Sequence, residues 1–190
     1  INTHILPLGG ESITKDIAFA LGCKINTAEK LKIDYGYALE ALAENDEILV
    51  EGINNQTKNN ITSKYISQII EHRVSEIFRM IRFEIEKQIS INQIAFGIVL
   101  TGGGSKLRNI SDVAESILQR NVRIGKPDKV QTINNKIFKP QYSTAIGLVH
   151  YAIDNKDNLG FYRETGVNGF MKKIFSNIKD SDALESFLNV

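Results

Sequence analysis

Cysteine is almost missing from this sequence: Cys23 stands alone, so no internal disulfide can form and no thiolate cluster can hold a metal. It follows an apolar stretch and reads as a small packed residue rather than a nucleophile. An excess of either charge is missing too. Lys and Arg number 23 against 22 Asp and Glu, a formal net charge of +1 that gives no reason to expect nucleic acid as a partner. No apolar run approaches the ~20 residues of a membrane-spanning helix, and no signal-peptide pattern is present, so a cytosolic location is expected. No internal repeat is found. The chain starts Ile1-Asn2-Thr3 without Met, as a piece of a longer protein would. What is there is ordinary: 42% hydrophobic and 24% charged residues, in a length that buries one core or a core plus a small satellite.

The most informative stretch is Ile94-Ala95-Phe96-Gly97-Ile98-Val99-Leu100-Thr101-Gly102-Gly103-Gly104-Ser105-Lys106. Its apolar part reads as a strand buried on both faces, and a helix is expected from about Ile110 to Arg120. Strand, glycine turn and helix together present bare backbone N–H groups to a phosphate or ribose. Three positions without a Cβ let a ligand approach the main chain closely. A tight turn that binds nothing fits the glycines equally well. The pattern is neither G-x-G-x-x-G nor a P-loop.

Upstream, Leu6-Pro7-Leu8-Gly9-Gly10 reads as a strand end and turn, with Thr14 capping a helix to about Leu21 and Gly22 closing it. A second helix is predicted from Asn26 as N-cap, with Glu29 at the capping-box position and Ala28, Leu31 and Tyr35 on one side. Tyr37 to Leu42 continues helically before the acidic Glu44-Asn45-Asp46-Glu47. Ile48-Leu49-Val50 is a short strand, and Gly52 to Asn60 a polar turn region. Thr62 caps the longest helical pattern, Ser63 to about Ile89. Its expected buried stripe is Ile66, Ile70, Ile77, Ile81 and Ile85, opposite Lys64, Gln68, Glu71, Ser75, Arg79, Arg82 and Glu86. Val122-Arg123-Ile124 is a strand, Asp128 to Lys139 is irregular, Ser143 to Ile153 is a helix, and Asp154 to Asn168 is a polar linker.

The last segment puts Phe170, Met171, Ile174, Phe175 and Ile178 on one helical face and Lys172, Lys173, Ser176, Asn177 and Lys179 on the other. A tethered amphipathic helix with lysines on its polar side suits an anionic bilayer surface, each lysine adding about 1 kcal/mol. Docking on the protein's own core is the other reading, and Asp180, Asp182 and Glu185 weaken the membrane signal.

Gly9-Gly10…Thr14-x-Asp16-Ile17-Ala18, Ala28-Glu29-x-Leu31-Lys32…Tyr35-Gly36 and Thr101-Gly102-Gly103-Gly104-Ser105-Lys106-Leu107 together resemble the actin-like ATPase superfamily and, within it, the FtsA family of bacterial cell-division proteins. Tyr142-Ser143-Thr144-Ala145-Ile146-Gly147-Leu148 looks like that family's closing helix, and Glu71-His72-Arg73-Val74-Ser75-Glu76-Ile77 like its long helix. The match runs along nearly the whole chain but covers only the second half of the family's protein. It implies an α/β fold, domain 2 of an actin-like ATPase with an RNase H-like core. Residues 1–44 and 91–153 would form subdomain 2A, 45–90 the inserted subdomain 2B, 154–168 a linker, and 169–190 an amphipathic membrane-targeting tail.

The resemblance further implies an ATP site without catalytic residues or metal ligands of its own, magnesium being held through the phosphates. Glu29 and Lys32 would meet the nucleoside, their spacing of three placing both on one helix face. Capping for Glu29 and a solvated face for Lys32 are the plainer alternatives. Gly102, Gly103, Gly104 and Ser105 would approach phosphate and ribose, with Lys106 along the adenine. Arg108-Asn109 replaces the family's usual Pro-Gly, and a looser turn is expected there. The phosphate-binding hairpins should lie upstream of Ile1, so this chain alone is expected to bind ATP weakly and not to hydrolyse it; the full-length protein would be a weak ATPase at most.

As partners, the resemblance implies the acidic C-terminal peptide of FtsZ on 2B, met by Lys64, Arg73, Arg79 and Arg82, although a basic helical face is often merely solvated and Arg82 can pair with Glu86. It also implies self-association as an actin-like protofilament and attachment through residues 170–178 to the cytoplasmic face of the inner membrane at the division site. Together these make an ATP-binding protein that tethers the FtsZ ring to the membrane. The competing functions are another actin-like scaffold, such as the pilus assembly protein PilM, and a kinase or chaperone ATPase of the same superfamily.

Overall fold

A computed structural model describes residues 3–52, 58–127 and 137–155. The chain divides into two compact units, 1–126 and 127–190.

In the first unit, helix α1 (Gly10–Leu21) starts four residues before Thr14. Gly9 is its N-cap, and the Ser12 hydroxyl accepts the Gly9 N–H, so the expected cap, Thr14, lies inside the helix and is buried. Ile13, Ile17, Ala18 and Leu21 share its buried face. Gly22 ends it as expected, at φ 57°, where the absence of a Cβ removes the left-handed penalty. Helix α2 (Ile25–Tyr35) begins one residue before Asn26, with Lys24 as an N-cap that makes no side-chain bond. Glu29 is engaged elsewhere and caps nothing.

Strands β1 (Glu47–Glu51) and β2 (Lys58–Thr62) form an antiparallel hairpin in the register Glu47↔Thr62 to Glu51↔Lys58. Ile48 and Val50 point into the core while Leu49 faces out. Residues 58–60 of β2 fall in the expected turn region; their Asn-rich sequence has little strand preference, and pairing with β1 supplies what propensity does not. Thr62 caps helix α3 (Ser63–Glu86) by accepting the Tyr65 N–H at 3.2 Å, as predicted.

The buried stripe of α3 is Ile66, Ile70, Val74 and Phe78, at four-residue steps; Ile77, Ile81 and Ile85, expected in it, are half-buried. Ser63 and Ser67 are buried because both hydroxyls have backbone partners: Ser63 donates to Glu44 O, and Ser67 accepts the Tyr37 N–H at 3.1 Å. Thus α3 packs on α1, α2 and helix α4 (Ile110–Leu118), and its stripe joins theirs in one core.

Two arginines pin α3 to its neighbours. Arg73 grips Asp16 of α1 with two hydrogen bonds, the Nη2–Oδ1 one at 2.9 Å. Arg82 donates from Nη1 to the Ile117 carbonyl at 2.7 Å, satisfying an end carbonyl of α4. The Arg73–Asp16 pair is still 26% and 30% exposed, which limits its worth. A double-mutant cycle of Asp16→Ala and Arg73→Ala, read by urea denaturation, is expected to give a coupling of about 1 kcal/mol. A coupling of zero would show that the bidentate geometry contributes nothing.

Strand β3 (Ile98–Leu100) pairs in parallel with β4 (Val122–Ile124), with α4 between them in sequence. The apolar run from Ile94 is therefore not one strand. Gly97 turns at φ 78° where a Cβ would lie 2.6 Å from the Asn121 carbonyl, and Phe96 before it is fully exposed. Val99 is about half-exposed, so β3 is not covered on both faces by the described residues. Asn109 opens α4 in the left-handed region at φ 61°, its Nδ2 donating to Asp112 at 2.8 Å. Backbone bonds also fix this turn: Ala38 N donates to Arg108 O at 2.8 Å, and the Arg108 guanidinium lies 4.9 Å from the Tyr37 ring. The turn expected to be loose is tied at both residues.

In the second unit Pro140 opens a short turn that runs into helix α5 (Ser143–Asp154), close to its predicted bounds; none of its residues is buried. Among the described residues no helix is long and apolar enough to cross a membrane. The expected linker from residue 156 onward and the amphipathic tail lie outside the described residues.

Candidate functional site

Three separate stretches meet at the start of α1. A Cβ built on Gly10 would stand 3.7 Å from the Lys32 ammonium and 3.9 Å from Gly104 Cα, and one on Gly104 would stand 4.0 Å from Gly10 N. The glycine turn, at Gly104, and the Glu29–Lys32 pair, at the Lys32 ammonium, thus both come up against the first residue of α1. Close approach is possible because neither contact position carries a side chain.

The pair is wired as a cluster. Lys32 Nζ donates to Gly10 O at 3.0 Å, to Thr14 Oγ1 at 2.8 Å and to Glu29 Oε2 at 2.6 Å. An ammonium has three protons, so its whole donor capacity is taken. The Thr14 hydroxyl faces Gly10 O at 3.1 Å and donates a short bond to the same Glu29 oxygen. Lys32 is accordingly 13% exposed, whereas Glu29 is 44% exposed. The inner carboxylate oxygen is held by the cluster and Oε1 accepts no hydrogen bond among the described residues.

Burial alone would raise the Glu29 pKa, but hydrogen bonds from Lys32 and Thr14 and the Lys32 charge together bring it below its ordinary 4.5. A depressed carboxylate contributes stability above its unfolded pKa and loses it as pH falls through the folded one. Glu29→Gln is therefore expected to flatten the fall in stability below about pH 4.5. Urea midpoints measured at intervals down to pH 3 check this; parallel curves for the two proteins would refute it.

The turn over Gly103–Lys106 is built by Gly102 at φ 90°, ψ 175°, a conformation reserved for glycine, and by the buried Ser105, whose hydroxyl donates to Gly102 O at 2.8 Å. Ser105 is thus spent inside the turn. Gly103 and Gly104 are exposed, with no atom within 4 Å of a Cβ on Gly103. Lys106 is exposed.

The four basic residues of α3 fare differently. Arg73 is taken by Asp16 and Glu76, and Arg82 by Glu86 and the Ile117 carbonyl. Lys64 lies 3.9 Å from Glu40, and Arg79 is exposed with no partner among the described residues. Residues 170, 171, 172, 173, 174, 175 and 178 lie outside the described residues. Sequence reasoning missed Thr14 and Gly10 as members of the cluster. A polar residue on the apolar face Ile13-Thr14-Ile17-Ala18-Leu21 was the available signal, since a buried hydroxyl needs a partner.

The family model described as "Cell division protein FtsA" matches residues 1–147. The chain belongs to the FtsA family. The FtsA of Neisseria meningitidis serogroup B is 37% identical over 162 residues, which is 83% of this chain and 39% of that protein. The FtsA of Bacillus subtilis is 36% identical over 155 residues, 81% of this chain and 34% of that protein. The chain thus spans well under half the length of these FtsA relatives. Among solved structures, MreB 5 of Spiroplasma citri bound to AMPPNP superposes with a TM-score of 0.62 at 17% identity, covering 81% of this chain and 46% of that one. The PilM-PilN type IV pilus biogenesis complex matches with a TM-score of 0.56 at 20% identity, over 80% of this chain and 39% of that one. These likenesses show an actin-like fold, as the FtsA resemblance implied.

Proposed function

We propose that this chain forms the nucleoside-side wall of an ATP cleft in an FtsA-type adaptor that tethers FtsZ to the cytoplasmic face of the membrane. The observation that carries the reading is the convergence of Gly10, Gly104 and Lys32 within van der Waals reach, with the outer oxygen of Glu29 left available. That set fits an adenosine: a cradle that a side chain would fill, an acceptor for a ribose hydroxyl, and exposed main chain at Gly103 and Gly104. Because every proton of Lys32 is engaged, its part in binding is through Glu29 unless it releases one partner. Bound ATP would bring its own phosphates, and magnesium would come with them.

For the acidic FtsZ peptide the available cations on α3 are Lys64 and Arg79, since Arg73 and Arg82 are committed to α1 and α4. The lysine-bearing segment 169–190 would hold the bilayer. Self-association as a protofilament and a place at the division site follow from the same family reading. A pilus scaffold or a superfamily kinase is less favoured, because the fold likeness to PilM comes with 20% identity against 36–37% for the FtsA relatives.

The test is equilibrium titration of the full-length protein with a fluorescent ATP analogue. Glu29→Ala is expected to weaken binding at least tenfold, or about 1.4 kcal/mol. Unchanged affinity would remove the nucleotide reading.

A further inference from the structure

We propose that Thr14 is the positioning residue of the Glu29–Lys32 pair. The proposal rests on the nucleotide reading above and adds a residue on a different helix from the pair itself. Glu29 and Lys32 are one turn apart on α2, and both are long side chains with many rotamers. What fixes them is α1. The Thr14 hydroxyl, on a residue that is 2% exposed, accepts one Lys32 proton at 2.8 Å and donates to Glu29 Oε2. Only Gly10 O joins it in holding Lys32 from α1, and that carbonyl also faces the Thr14 hydroxyl.

A hydroxyl is the one small group that suits this position. It must accept from an ammonium and donate to a carboxylate within a single buried atom. Valine has the shape of threonine and neither capacity, so Thr14→Val leaves one Lys32 proton and one carboxylate lone pair without a partner in a largely buried cluster. Serine keeps both capacities. With Thr14 in place Oε2 is held in the cluster, and Oε1, which accepts no hydrogen bond among the described residues, is left to accept a ribose hydroxyl.

Three full-length variants decide the matter, Thr14→Val, Thr14→Ser and Glu29→Ala, each measured for affinity toward a fluorescent ATP analogue and for unfolding temperature. The titration of Glu29 in the nucleotide-free protein is followed by carbon-13 NMR of labelled glutamate, assigned with Glu29→Gln. Thr14→Val is expected to weaken binding by about five- to tenfold and Thr14→Ser to restore it to within about twofold, as a charge-assisted hydrogen bond would. The Glu29 titration should move upward in the valine variant and return with serine. If Thr14→Val leaves both affinity and titration unchanged while Glu29→Ala weakens binding, the positioning role is overturned and the nucleotide reading stands. If Glu29→Ala binds like wild type, the nucleotide reading falls, and an unmoved Glu29 titration in Thr14→Val would then overturn the positioning role as well. A loss of affinity that serine does not restore, matched by a lower unfolding temperature, reduces Thr14 to core packing and also overturns it.

Discussion

Gly104→Leu is expected to cost the full-length protein at least tenfold in ATP affinity while leaving its unfolding temperature almost unchanged. The separation of the two effects follows from what surrounds the residue. A Cβ at position 104 meets nothing closer than Gly10 N at 4.0 Å, the backbone there is outside the left-handed region and the position is exposed, so the substitution starts without a clash. An exposed substitution of this kind costs about 0.5 kcal/mol or less in stability. The room it takes is the crevice between the glycine turn and α1. An isobutyl group there stands where the nucleoside would approach bare main chain, and each tenfold loss corresponds to about 1.4 kcal/mol. Fluorescent-nucleotide titration beside a thermal melt checks both halves. Wild-type affinity with leucine at 104 would mean that the turn faces no ligand.

Gly36→Ala is expected to do the reverse, damaging the fold first. Gly36 follows α2, and its N–H donates to Lys32 O at 3.1 Å. A methyl there would fall 2.4 Å from that same carbonyl and 2.6 Å from Ile70 Cδ1. Neither neighbour can yield cheaply, since one is helix backbone and the other is a fully buried side chain of α3. Overpacking of this kind costs about 1–3 kcal/mol. The urea midpoint should drop with the m-value unchanged. Gly103→Ala, with nothing within 4 Å of its Cβ, serves as the tolerant comparison. Because the crowded carbonyl belongs to Lys32, nucleotide affinity is expected to fall as well. Equal stability of the two alanine variants would refute the packing argument.

Much of the fold was legible because it rests on local chemistry. Thr62 before a long amphipathic stretch marks the start of α3, and Gly22 marks the end of α1, since each supplies a group or a conformation that a helix terminus needs. The glycine triplet and the Glu-x-x-Lys pair were legible as candidates, yet only the family resemblance joined them, for they lie some seventy residues apart. What was not legible depends on partners distant in sequence. The strand at 58–62 exists through its register with β1, and nothing in its own asparagines announces it. The α3 stripe runs through Val74 and Phe78 rather than Ile77 and Ile81 because α1, α2 and α4 select the buried face together. Thr14 reads as a cap in the sequence for a similar reason: a hydroxyl near a helix start has two possible employers, and the second, Lys32, arrives from another helix.

The rung between Ala38 and Arg108 has a mechanical meaning. Ala38 is fully buried, and its amide hangs on the Arg108 carbonyl, two residues past the glycine turn. Two residues further on, the Glu40 amide is caught by Glu71 of α3. Displacement of the turn would therefore tug a linkage of successive backbone joints ending on the long helix.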